Sequence, residues 1–196
     1  MASYSAVYGV MLAIESLLKE DFPADLSGSP INGNAQLVGS QDFKKPLGNM
    51  IGVYLHRIDI DPTIPGGFMR QLPGSRTPPV PEVPLMLHFL LIGIGDTPLA
   101  EISLMGFAMQ RLASRPVIGA DRLSDQSYEW DEADSVQLAT EDMKPEELYR
   151  IWDVLPMKYA MSVPYIARAV RVRADAAQHV YAPVLDRTFG YREKVP

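Results

Sequence analysis

The chain has 196 residues and a mass of 21.7 kDa, with 47% apolar and 21% charged side chains, a formal net charge of −6 and a pI near 5.0. This is enough for one domain that hides roughly 70% of its unfolded surface, and it excludes disorder of the whole chain. The acidic balance argues against general nucleic-acid binding. The absence of cysteine excludes disulfides, thiolate catalysis and Cys-ligated zinc, and it fits a reducing compartment.

Residues 4–20 predict a helix. Val7, Val10, Met11, Ile14, Leu17 and Leu18 follow the i, i+3, i+4, i+7 rule, with Ser3 or Ser5 as candidate N-cap and Pro23 as the stop. No basic leader precedes this stretch and Glu15 interrupts it, so no secretory signal is expected. Residues 24–34 read as a turn-rich linker, and 35–39 as a short strand.

Residues 49–61, NMIGVYLHRIDID, predict a long strand. Ile51, Val53 and Leu55 line one face, and Ile58 and Ile60 continue the apolar run on the other. Residues 62–84 then hold 7 of the 17 prolines, a density that neither helix nor central strand tolerates. A loop of this length in a compact domain is usually functional, and its prolines make it extended and easy to order on a partner.

A second apolar strand is predicted over 85–92. The run as far as Ile94 is interrupted by His88 and Gly93, well short of the about 18 residues that a membrane span needs. After the turn Gly93-Ile94-Gly95-Asp96 comes a helix with Asp96 as cap and Pro98 in its first turn. Its expected buried stripe is Leu99, Ile102, Gly106, Met109 and Leu112, flanked by Met105 and Ala113, and Pro116 stops it. Residues 119–134 are polar and acidic, and 135–140 predict a strand. Lys144 and Pro145 open a short helix with Leu148, Ile151, Trp152 and Leu155 on its apolar face. Trp152, mid-stripe, is expected in the core, with Tyr149 and Arg150 outward. A last strand covers 159–173, with Ile166, Val170 and Val172 on one face and Tyr165, Ala167 and Ala169 on the other. The order of elements is an α+β domain: a single mixed, mostly antiparallel sheet packed against two to three helices. The domain is expected over 1–173, with 174–196 as a C-terminal tail.

Residues that invite a chemical reading have simpler explanations. The turn at 93–96 suggests a phosphate site at a helix N-terminus. Yet Pro98 stands where the third glycine of GxGxxG belongs, and Asp96 puts a negative charge there. His56, His88 and His179 lack i, i+4 spacing. Asp59 and Asp61 share a side of the strand end and could join the histidines on a cation, but no third carboxylate lies near in sequence. No serine sits in a G-x-S-x-G elbow. No catalytic residue, metal or cofactor is expected.

Charge is unevenly placed: net −2 over residues 1–120, −8 over 121–147 and +4 over 148–196. Such asymmetry suits packing on copies of the same chain or on a charged partner. The strand segment Arg168, Arg171, Arg173 cannot be wholly buried. Arg171 and Arg173 are expected on one face and Arg168 on the other. These three, with Arg70, Arg76, Pro78 and Pro79 of the loop, are the interface candidates.

Three stretches together carry a family resemblance: LGNMIGVYLHRIDIDP at 47–62, PPVPEVPLMLHFLLIGIGDTPLAEISLMGFAMQRLASRPVI at 78–118, and MKPEELYRIWDVLPMKYAMSVPYIARAVRV at 143–172. In order and spacing they resemble the cap, or tail-terminator, proteins of extracellular contractile injection systems of the antifeeding-prophage and virulence-cassette type. Leu148, Trp152, Ser162, Val163 and Tyr165 are the most specific part. The resemblance implies a structural, non-enzymatic role. Copies of the chain, six in the family, would form a ring on the baseplate-distal end of tube and sheath, end their polymerisation and stabilise the extended sheath. The implied partners are the chain itself, as a hexamer, and the inner tube protein, the sheath protein or both, with no nucleic acid and no membrane. Assembly in the cytoplasm into a particle that leaves the cell is implied as well. A phage tail-completion protein would meet the same physical task. A small soluble enzyme using the turn at Gly93–Asp96 is the reading from another class.

Overall fold

A computed structural model describes residues 5–23, 25–26, 29–30, 33–44, 47–62, 82–123, 130 and 134–173. The chain order is α1 (Ala6–Lys19), β1 (Asp25–Leu26), β2 (Ser29–Pro30), β3 (Asn34–Leu37), a 3-10 turn (Asp42–Lys44), β4 (Met50–Ile60), β5 (Glu82–Ile94), α2 (Pro98–Ser114), β6 (Val117–Gly119), α3 (Ala120–Leu123), β7 (Ser135–Thr140), α4 (Pro145–Val154) and β8 (Ser162–Arg173). Six strands form one sheet in the order β3-β4-β5-β8-β7-β6, while β1 and β2 pair only with each other. Every neighbour pair in the sheet is antiparallel except β3–β4, so it is mixed and mostly antiparallel as expected.

The two faces of the sheet have separate cores. On one face, Val10, Ile14, Leu17 and Leu18 of α1 and Leu104, Met105, Ala108 and Leu112 of α2 meet Ile51, Val53, Phe89, Leu91, Tyr165, Ala167 and Val170. On the other, Trp152 and Leu155 at the end of α4 meet Val38, Phe43, Met50, Leu90 and Ile92. β5 is buried on both sides from Leu87 to Ile92, which explains an apolar run broken there only by His88. Each fully buried Leu, Ile or Phe contributes about 1.5–3 kcal/mol, so this central strand is the energetic axis of the fold.

Two β-bulges change which residues share a face. Between Leu55 and Arg57, β4 advances two residues while β5 advances one, so His56 is the extra residue. Ile58 and Ile60 therefore return to the face of Leu55, opposite Leu87 and Leu85, rather than lining the other face. On β8, Ala167 pairs with Leu87 and Val170 with Leu85, three residues against two. Ala169, at φ 64, takes up the extra length. Tyr165, Ala167 and Val170 consequently share one core, which breaks the expected grouping of Val170 with Ile166 and of Ala169 with Ala167.

Other boundaries differ for local reasons. Thr97, not Asp96, caps α2: its Oγ1 accepts from the Ala100 N–H at 3.2 Å, with Pro98 at the first helical position. Ser5 is the N-cap position of α1 but makes no side-chain capping bond. β6 and α3 occupy part of the stretch expected to be a polar loop, because Ile118 and Leu123 reach the α1/α2 core. β1 and β2 lie in the expected linker, and β5 begins at Glu82, taking three residues from the expected loop. Residues 63–81 of that loop, and residues 174–196, lie outside the described residues.

The largest departure concerns α2. It buries Leu104, Met105, Ala108 and Leu112, whereas Leu99, Ile102 and Met109 of the expected stripe are 55%, 59% and 38% exposed. The helix carries two apolar faces, and the sheet takes the one centred on Leu104 and Ala108.

Candidate assembly surface

The bulge on β8 sorts its arginines. Arg168 pairs across the sheet with Gln137, which lies between the buried Val136 and Leu138 and so points away from the α1/α2 core. Val170 points into that core, so Arg171 also points away from it. Arg168 and Arg171 thus share a face, contrary to the expected split, and the strand position of Arg173, opposite Glu82, has the same parity. Arg168 is exposed, and Arg171 lies 3.6 Å from the Glu82 carboxylate. Arg70, Arg76, Pro78 and Pro79 lie outside the described residues.

The same face holds a charged cluster that ties distant strands together. Arg57 of β4 reaches Asp59 through Nε at 2.9 Å and Glu141 through Nη2 at 3.1 Å. His88 of β5 spans the same two carboxylates, with Nδ1 2.8 Å from Glu141 and Nε2 3.2 Å from Asp59. Glu141 follows β7, and its N–H donates to Pro164 of β8, so the cluster crosses four neighbouring strands. A site with the histidines would have drawn on Asp59 or Asp61, residues read from the sequence as lying at the strand end, and of the two Asp59 joins this cluster. The second carboxylate is that of Glu141, 53 residues from His88 in sequence. Among the described residues, no group of three or more His, Asp or Glu is placed to hold a metal ion. The guanidinium between the two carboxylates supplies the balancing charge.

His56 sits in the β4 bulge with its ring 6.3 Å from that of His88. Burial pushes its pKa down from 6.5 to about 4, outweighing the opposing pull of Glu141. A second cluster gathers on Glu20, which Arg111, Arg115 and Arg122 all contact. The hydrogen bond from Arg122 is the main reason the Glu20 carboxyl is held below its ordinary pKa.

The turn at 93–96 is filled by protein. A Cβ on Gly95 would lie 2.5 Å from the Glu101 backbone nitrogen, so the chain runs directly against the first turn of α2. The Ala100 and Glu101 N–H groups bond to Thr97, and the Asp96 N–H bonds to Asn49 Oδ1 at 2.7 Å. Three of the N–H groups that a phosphate could use here are thus already bonded within the protein. An open groove of about 680 Å³ between α1 and β3–β4 is lined by Val7, Tyr8, Met11, Leu37, Val53 and Leu55 among others. Its polar side chains are hydroxyls only, with no acid–base pair. No described helix is long and apolar enough to cross a membrane.

Trp152 is 4% exposed, as its place in the stripe predicts. Its indole N–H donates to Ser162 Oγ at 3.0 Å, and its ring packs edge-on to Phe43 and Tyr159. This links α4 to the start of β8. Tyr149 and Arg150 face outward as expected.

Helices on both faces of a six-stranded, mostly antiparallel sheet define an α+β fold shared with proteins that close tubular particles. Over 96% of its length the chain superposes on the PVC sheath/tube terminator of an extracellular contractile injection system in the extended state, with TM-score 0.56 and 15% identity. Over 93% it superposes on the tube-terminating cap of the anti-feeding prophage, with TM-score 0.55 and 13% identity. It spans 64% and 60% of those two chains. Residues 9–186 match the Pvc16 N-terminal domain, and the chain belongs to that family. Comparison with curated proteins found no match.

Proposed function

We propose that this chain is a structural cap of a contractile injection particle. In this reading it forms a ring, of six copies, on the baseplate-distal end of tube and sheath, ends their polymerisation and holds the sheath extended. The observation that carries the reading is membership of the Pvc16 N-terminal family over residues 9–186 together with a fold shared with two terminators.

A terminator presents one ring face that matches the growing end and another that recruits nothing further. For contact with tube or sheath we assign the face of β8 that carries Arg168 and Arg171, whose guanidinium groups suit an acidic surface. We extend this to Arg173 and to the loop positions Arg70, Arg76, Pro78 and Pro79. A proline-rich loop loses little entropy on docking. Hydrogen exchange separates these assignments from the cap role itself. Residues 62–84 are expected to be protected in the particle relative to the free chain, and equal exchange in both states removes the loop from the interface.

The cap role is tested by position. A tagged copy visualised in intact particles should mark only the end opposite the baseplate. Label along the whole sheath, at the baseplate, or on no particle contradicts the reading.

A further inference from the structure

The outer edge of β4 is covered over only part of its length. β3 pairs with Met50 to Val53, and the last bond on that side runs from the Val38 N–H to the Val53 carbonyl. Beyond it, among the described residues, no strand pairs with β4 on the side away from β5. Backbone groups along a strand turn to alternate sides, so Leu55 directs its N–H and C=O the same way as Val53. At the far end the Asp61 N–H donates to the Pro84 carbonyl, so Ile60 and Ile58 direct theirs to the open side as well. The Ile58 and Ile60 side chains are 47% and 58% exposed, and neither proline nor lysine blunts the edge over residues 54–60. An uncovered apolar edge of this kind is a template for one more strand.

A matching segment lies in the same chain. β8 is antiparallel to β5, as β4 is, so β8 and β4 end on the same side of the sheet. Arg173 pairs with Glu82, three positions past Leu85, the partner of Ile60. A strand on the open edge of β4 lies three strand spacings from β8, about 14 Å, and about 10 Å back along the sheet. Residues 174–179 can span about 20 Å, enough for the resulting path of about 17 Å. The run that follows, Val180-Tyr181-Ala182-Pro183-Val184-Leu185, is uncharged and apolar throughout. Pro183 has no N–H to give and fits where it turns away from β4, which turns Val180, Ala182 and Val184 toward it. The family match continues to residue 186, through the whole of this run. We propose that residues 180–185 add to the open edge of β4 in their own chain as an antiparallel strand, with Val180 opposite Ile60 and Ala182 opposite Ile58. The strand then ends at the groove between α1 and β3–β4, beside Leu55. A segment of the same chain needs only the closure of a short loop, whereas a second molecule would lose translational and rotational freedom. The inference concerns the folded chain itself and does not depend on the cap reading.

Residue-resolved amide exchange on the full chain reads the edge directly. The Ile58 and Ile60 N–H groups should be protected in the wild type. Ala182→Pro removes a donor from the bonding side of the added strand, so both should lose protection while the Asp61 N–H, bonded to β5, keeps it. Because the chain has no native cysteine, register can be read by cross-linking. Residues of a bonded antiparallel pair have Cα atoms about 5.5 Å apart, within disulfide reach. The double variant Ile60→Cys, Val180→Cys should therefore close a disulfide within one chain under mild oxidation. It should do so faster than Ile60→Cys, Tyr181→Cys, whose second thiol would lie on the opposite face. Fast exchange at Ile58 and Ile60 in the wild type overturns the proposal. Protection that survives Ala182→Pro also overturns it, because another segment would then hold the edge. Equal closure rates for the two cysteine pairs reject the register. A disulfide that joins two chains gives the edge to a second copy and overturns the pairing within one chain.

Discussion

Trp152 shows how one side chain can hold an element in place. α4 has ten residues, too few to be stable alone in water, so it depends on docking. Trp152→Ala removes the ring that meets Phe43 and Tyr159 and should cost about 3–5 kcal/mol of unfolding free energy in urea titrations. Trp152→Phe keeps most of the packing and loses the bond to Ser162, so about 1 kcal/mol is expected. An alanine variant that melts like wild type would contradict the core assignment. His56 makes a different prediction. Its pKa is about 4 folded against an ordinary 6.5, so the unfolded chain binds the extra proton first as pH falls. The stability that depends on neutral His56 is complete above pH 6.5 and is lost progressively toward about 4. Denaturant midpoints should fall across that window, and less steeply in His56→Gln. The Glu20 carboxyl, also held low, contributes stability that is complete above its ordinary value of 4.5 and is lost as pH falls from there through its folded value.

At the scale of elements, the sequence announced helices and strands well and their faces less well. β7 falls at 135–140 and α4 at 145–154 because period and stop signals agree there. The faces of β4 and β8 were misread because one extra residue in a strand reverses its alternation, and neither His56 nor Ala169 is a residue type that signals a bulge. The α2 stripe was misread because both of its faces are apolar, and periodicity alone does not say which one meets the chain's own sheet. The cluster of Arg57, His88 and Glu141 was illegible because its members are far apart in sequence and join only through strand order. Two substitutions test this account. Ala169→Gly should be neutral or stabilise by up to about 1 kcal/mol, since relief of a left-handed alanine slightly exceeds the entropy glycine adds to the unfolded chain. Gly95→Ala drives a methyl against the Glu101 backbone and should destabilise by about 1–3 kcal/mol in thermal or urea melts. The opposite sign for either would reject the backbone geometry described.

At the scale of the whole molecule, helices cover both faces of one sheet, charged clusters around Glu141 and Glu20 tie its described strands and helices together, and Arg168 and Arg171 lie on the face turned away from the α1/α2 core. That arrangement suits a part that is built into something larger. The cap reading rests on family membership and a shared fold, and what it asserts is control of length. The most direct measurement is the length distribution of particles from cells with the gene deleted, with and without the wild-type chain restored. Overlong, unstable or absent tubes and sheaths in the deletion, returned to uniform length on restoration, are the predicted result. Normal particles of normal length without the chain would contradict the account.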